Sequence, residues 1–143
     1  MICNIANQVK RLAVLGSTGS IGQQTLEVVR AFPKRFRIVA LAAGDNTNLL
    51  RRQISEFQPK FVYYQAEMAD AISGDYQFLS LEEIAAHPEV DTVVIATPGG
   101  AGLGSALAAV KAGKNVALAN KESLVMAGQI ILSEARKNGA RIL

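Results

Sequence analysis

The chain has 143 residues, half of them hydrophobic, with 15 Lys+Arg against 12 Asp+Glu for a formal net charge of +3. A chain of that size buries roughly two-thirds of its unfolded surface in one domain, which excludes disorder and fibrous repeats. The single cysteine, Cys3, excludes an internal disulfide framework and a cysteine zinc cluster and points to a reducing setting, and no basic stripe interleaved with aromatics suggests nucleic acid.

Met1 to Lys10 carries Asn4, Asn7 and Gln8 where a signal peptide needs an unbroken apolar core, and reads as a short frayed extension. Arg11 to Leu15 predicts the first strand, ending at Gly16. Ile21 to Phe32 predicts a helix whose apolar face is Ile21, Thr25, Leu26, Val28, Val29 and Phe32, stopped by Pro33. Arg37 to Ala42 is the second strand, Thr47 to Phe57 a helix capped by Asn46 or Thr47, and Lys60 to Tyr64 the third strand. A small helix near Ala66 to Ile72 and a short strand at Gln77 to Leu79 follow. Ser80 and Glu83 then make a capping-box pattern for a helix from Leu81.

Asp91 to Thr97 is the clearest buried strand. The uncharged stretch it opens, Val93 to Val110, is broken by Pro98 and four glycines, so it reads as strand, loop and helix rather than as a membrane span. That helix ends near Ala112 before Gly113. Asn115 to Ala119 is the fifth strand, a helix runs from about Ser123 to Asn138 before Gly139, and Ala140 to Leu143 begins a sixth strand. An end inside a strand suggests a domain of something longer.

Strands alternating with helices predict an α/β fold, a Rossmann-like doubly wound and mainly parallel sheet with helices on both faces, in the order 3-2-1-4-5-6. The first strand runs into Gly16-Ser17-Thr18-Gly19-Ser20-Ile21-Gly22, a GxxGxxG turn that opens the first helix where such folds hold a pyrophosphate. Gly16 permits the tight turn, Gly19 lets backbone approach phosphate oxygens, and Gly22 lets the helix pack close. Ser17, Thr18 and Ser20 add hydroxyl donors, and free N–H groups with the helix dipole favour an anion without a basic side chain. The alternative is a turn that only packs tightly. Residues 1–143 thus read as one dinucleotide-binding domain.

After the second strand, Gly44, Asp45 and Asn46 stand where such folds read the adenosine ribose. An acidic residue there accepts from a 2′-hydroxyl and repels a 2′-phosphate, by about 4 kcal/mol at about 4 Å and an effective dielectric of 20, which argues for NAD over NADP. Arg51 and Arg52 in the next helix offer an offset, and a solvated turn residue is the other reading of Asp45. Thr97 to Gly102 leaves the carboxyl edge of the fourth strand and serves ligand contact or packing equally well. Asn120, Lys121 and Glu122 arrive at the same edge from the fifth: Lys121 suits a substrate phosphate or hydroxyl, Asn120 ribose or nicotinamide, and Glu122 ribose hydroxyls, against a plain solvated charge pair. His87 reads as surface, Tyr63 and Tyr64 as packing against a helix, and Met126 as core.

Together, LGSTGSIG followed by TLEVV, AAGDN after the second strand and ALANKESLV at the fifth resemble the 1-deoxy-D-xylulose 5-phosphate reductoisomerase family over essentially the whole chain. The resemblance implies the NADPH-binding domain of an enzyme of the non-mevalonate isoprenoid pathway. That enzyme converts 1-deoxy-D-xylulose 5-phosphate to 2-C-methyl-D-erythritol 4-phosphate with Mg²⁺ or Mn²⁺. It further implies a homodimer acting on a sugar phosphate, in a bacterial cytoplasm rather than a plastid stroma, with neither membrane nor nucleic acid as partner. By motif, Thr18, Gly19, Ser20 and Ile21, beside Gly16 and Ser17, would meet the cofactor phosphates, Gly44, Asp45 and Asn46 its adenosine end, and Asn120 and Glu122 its nicotinamide side, with Lys121 on the substrate. The family's Asp-Ser-Glu metal motif and its catalytic and C-terminal domains would lie beyond Leu143, so these residues alone should not catalyse the reaction.

Two positions depart from the family: Asp45, where members often carry a basic or small residue, and Thr97-Pro98-Gly99-Gly100, where a Val-Gly pair is commoner. Residues 93–121 also resemble the glucose–fructose oxidoreductase-like dehydrogenases, which typically continue with Glu-Lys-Pro. A non-catalytic dinucleotide-sensing module is a third reading.

Overall fold

The computed structural model of the chain describes residues 8–65, 72–98, 100, 102–119 and 121–143, without the side chains of 121–124 and 126. Among these residues, strands β1 (Lys10–Leu15), β2 (Phe36–Ala42), β3 (Phe61–Tyr63), β4 (Gln77–Phe78), β5 (Thr92–Ile95) and β6 (Asn115–Leu118) alternate with helices α1 (Ser20–Ala31), α2 (Thr47–Phe57), α3 (Leu81–Ala85), α4 (Gly102–Lys111) and α5 (Lys121–Asn138). The sheet runs β4-β3-β2-β1-β5-β6 with every pairing parallel. All strand carboxyl ends therefore meet at one edge.

Central strands buried on both faces are apolar throughout, which is why Leu12 to Leu15 shows no polar alternation. Leu12 and Val14 pack with Leu26 of α1 and Leu50 and Ile54 of α2 on one face. Ala13 and Leu15 pack with Ile84 of α3, Ala106 of α4 and Ile131 of α5 on the other. The β1–β2 register slips by one residue, Leu12 facing Ile38 but Ala13 facing Ala40. This bulge puts Val39 and Ala40 against the same core and returns Leu41 to the α1–α2 face.

The expected elements are present with local corrections. The strand order agrees, with β4 added outside β3 and the sixth strand reduced to a parallel bridge between Val116 and Ile142. The buried face of α1 is Gly22, Leu26 and Val29, while Ile21, Val28 and Phe32 are exposed. Gly22 must face the preceding turn, and that rotates the helix away from the face that hydrophobicity alone selects. Asn46 is the α2 cap, its Oδ1 accepting from Leu49 N at 3.2 Å, and the Ser80–Glu83 capping box is formed. α5 begins at Lys121 and kinks at Ala127.

His87 is half-buried rather than a surface residue: its ring lies 4.1 Å from that of Phe61 and its Nδ1 accepts from Glu89 N. Tyr63 and Tyr64 contact Phe78 of the edge strand and pack against the clusters that the helices build on the two faces of the sheet. The helix expected over 66–72 falls mostly outside the described residues, as does the Met126 side chain. Among the described residues no helix is long and apolar enough to cross a membrane.

At the amino edge of the sheet, Arg11 grips Asp91 twice, Nε to Oδ2 at 3.1 Å and Nη2 to Oδ1 at 3.0 Å, while its backbone N–H donates to Oδ2 at 2.8 Å. The Arg11 hydrogen bonds, with its charge, hold the Asp91 carboxyl below the usual carboxylate range against the opposing effect of partial burial. A carboxyl whose pKa is lower folded than unfolded contributes stability that is present above its unfolded value and lost as pH falls through its folded one. Asp91→Asn is therefore expected to lower the urea midpoint at neutral pH, and the gap to the wild type is expected to shrink as unfolding is measured below about pH 4.

Candidate functional site

The site begins with a turn that has almost no room. Gly16 sits at φ +89°, and a Cβ there would lie 2.6 Å from the Ala96 carbonyl oxygen. A Cβ on Gly22 would lie 2.1 Å from Gly16 O. The N–H groups of Gly16 and Ser17 both donate to Ala42 O, at 2.8 and 2.9 Å, fixing the end of β1 to the end of β2. Gly19, the α1 N-cap, has space: its nearest neighbour would be 3.6 Å from a Cβ. Among the described residues no neighbour would clash with a side chain at that position.

The α1 N-terminus has no side-chain cap hydrogen bond and no acidic residue in its first turn. The N–H groups of Ser20, Ile21 and Gly22 precede the first intrahelical bond and lack i−4 partners in the helix, which makes this a positive, donor-rich terminus. The helix meets the cleft through its N-cap Gly19, while the exposed Ser20 and Ile21 do not line it.

The Ser17 hydroxyl departs from its reading as a phosphate donor. Fully buried, it donates to Gln53 Oε1 at 2.8 Å, while Gln53 Nε2 donates back to Ser17 O at 2.9 Å. This reciprocal pair ties the turn to α2. Gln53 escapes a sequence reading because a buried Gln in an amphipathic helix carries no distinguishing pattern.

A cleft of about 430 Å³ opens at the carboxyl edge. Gly16, Thr18 and Gly19 form its floor, and Gly44, Asp45 and Asn46, all exposed, form one wall. Tyr63 and Gln65 after β3, with Leu81 at the head of α3, extend the apolar side, and Ala96, Thr97 and Pro98 close the other. Ala43 N donates to Tyr63 O at 3.0 Å and Gln65 N to Gly44 O at 3.3 Å, so the β2 and β3 ends move as one piece. Tyr63, Gln65 and Leu81 carry no sequence signal that marks them as wall residues, and Tyr63 reads in sequence only as packing. The Thr97 loop, divided between ligand contact and packing on sequence grounds, does wall the cleft through Thr97 and Pro98. Asn120 and the side chains of Lys121 and Glu122 lie outside the described residues; the backbone of Lys121 and Glu122 opens α5 at this same edge.

The family model of 1-deoxy-D-xylulose 5-phosphate reductoisomerase matches residues 12–128, the turn, the cleft walls and the start of α5 together. The chain belongs to this family. The reductoisomerase of Glaesserella parasuis is 46% identical over 94% of this chain. A solved DOX-P reductoisomerase in complex with NADPH, fosmidomycin and magnesium superimposes with a TM-score of 0.89 at 44% identity, covering 94% of this chain and 36% of that one. The Zymomonas mobilis reductoisomerase in complex with NADPH gives 0.84 at 33% identity, covering 95% of this chain and 38% of that one. The chain spans 37% of the length of its Glaesserella relative. Neither the glucose–fructose oxidoreductase-like reading nor the sensing-module reading is favoured beside this match.

Two expectations follow for the reductoisomerase turn. Gly16→Ala must force a side chain into a positive-φ position against backbone, and should cost about 1–3 kcal/mol or more in urea unfolding. Ser17→Ala should cost about 1–3 kcal/mol by leaving the buried Gln53 amide oxygen without its donor, and Ser17→Ala with Gln53→Leu should recover part of that loss.

Proposed function

We propose that this chain is the NADPH-binding domain of a 1-deoxy-D-xylulose 5-phosphate reductoisomerase, the enzyme that rearranges and reduces its sugar phosphate to 2-C-methyl-D-erythritol 4-phosphate. The observation that carries the reading is the α1 N-terminus, uncapped and free of acid in its first turn, opening on a cleft whose floor is backbone from Gly16 to Gly19. The pyrophosphate fits there, because N–H donors and the helix dipole supply the charge that no lysine or arginine among the described lining residues does.

In this reading the Ser20, Ile21 and Gly22 N–H groups hold the pyrophosphate, with Thr18 beside them. The Tyr63, Leu81 and Pro98 walls exclude water from the adenine, and the 43–46 turn receives the ribose. Asn120 and Glu122 take the nicotinamide side and Lys121 the substrate. The dinucleotide supplies hydride; the protein fixes where it sits. The reaction's divalent metal, magnesium in the solved relative, finds no group of three His, Cys, Asp or Glu side chains to hold it among the described residues. A homodimer in the bacterial cytoplasm belongs to the same proposal.

Ser20→Asp separates this reading from a merely structural turn. An acid in the first turn favours the helix dipole and should leave stability unchanged or raise it by about 0.3–1 kcal/mol. The same charge, at the helix terminus that would hold the pyrophosphate although its side chain lies outside the cleft, should weaken NADPH binding by about tenfold, read by calorimetric titration at fixed low salt. Undiminished NADPH binding by Ser20→Asp would overturn the placement.

A further inference from the structure

The adenosine end of the cleft carries one charge, and it has the wrong sign for a 2′-phosphate. Among the described residues, Asp45 is the sole ionisable side chain other than Tyr63 in the cleft walls, and it stands at the exposed turn after β2. Its backbone carbonyl accepts from Thr47 N at 2.8 Å, which shapes the turn, while its carboxylate has no ion-pair or hydrogen-bond partner among the described residues. The neighbouring Asn46 side chain is committed to Leu49 N as the α2 cap.

The two arginines that could offset Asp45 do not line this cleft. Arg52 lies in a separate groove between α1 and α2 with Glu27 and Glu56, beside Arg30, which pairs with both acids at 2.7 and 2.6 Å. Arg51 is exposed on α2 and lines neither cavity.

We propose that Asp45 abolishes strong selection for the 2′-phosphate, so that this chain binds NADH about as tightly as NADPH. The inference rests on the dinucleotide reading above and deepens it. A carboxylate accepts from the ribose 2′-hydroxyl of NADH and repels the 2′-phosphate of NADPH, while the pyrophosphate contacts serve both nucleotides alike.

The test is calorimetric titration of the protein with NADH and NADPH, and with 5′-AMP and 2′,5′-ADP as probes of the adenosine end alone, at one stated salt concentration. The two dinucleotides are expected to bind within about tenfold of each other, and Asp45→Asn should shift the ratio toward NADPH by about tenfold or more, Asp45→Lys further. The same shift should appear between the two adenosine probes. Arg51→Ala with Arg52→Ala should leave the wild-type ratio in place. A wild-type preference for NADPH above about a hundredfold, a ratio indifferent to Asp45→Asn, or a collapse of NADPH binding in the arginine variant would each overturn the inference while leaving the dinucleotide site intact. Failure of the wild type to bind either dinucleotide would overturn the dinucleotide reading itself, and this inference with it.

Discussion

The β1–α1 turn is set so tightly against the sheet that it admits no side chain at two positions, and most of the site follows from that packing. Gly16 and Gly22 leave no volume for a side chain, and two backbone N–H groups converge on one carbonyl, Ala42 O. Main chain thus pins the turn to the sheet, while the Gln53 side chain ties it to α2. The close packing of Gly22 also rotates α1 so that Gly22, Leu26 and Val29 point inward. The exposed Ile21, Val28 and Phe32 are the consequence of that geometric demand.

A second layer of support lies behind the turn. The Ser17–Gln53 pair is buried and reciprocal, each residue giving and receiving one hydrogen bond, so neither is left unsatisfied where water cannot reach. α2 therefore does two jobs. Its Asn46 cap shapes the loop after β2, and its Gln53 anchors the loop after β1, so the floor and one wall of the cleft share a single helix as their reference.

Much of this was legible in the residues. Apolar runs of strand length alternating with helical segments specify a parallel sheet, and the glycine spacing marks the tight turn, since both patterns record constraints local in sequence. What stayed hidden was non-local. The inward face of α1 depends on contact with the turn, and the partner of Ser17 stands 36 residues away. His87 looked solvated beside Pro88, yet it stacks on Phe61 from a different element. Asp45 was ambiguous because its effect depends on where Arg51 and Arg52 lie, which helix periodicity alone does not decide.

The all-parallel sheet carries a consequence for how the cleft comes into being. No two neighbouring strands are joined by a hairpin, and β1 meets β5 only after some eighty residues of chain have been laid down, Leu12 opposite Thr92. Such pairings are slow to form, because loop closure precedes any return from contact. The walls at 16–19, 44–46 and 96–98 consequently share no local precursor, and a molecule resting on all three acts as a non-covalent crosslink between distant parts of the chain. A ligand that binds only where the completed sheet brings these three loops together would add to fold stability by mass action.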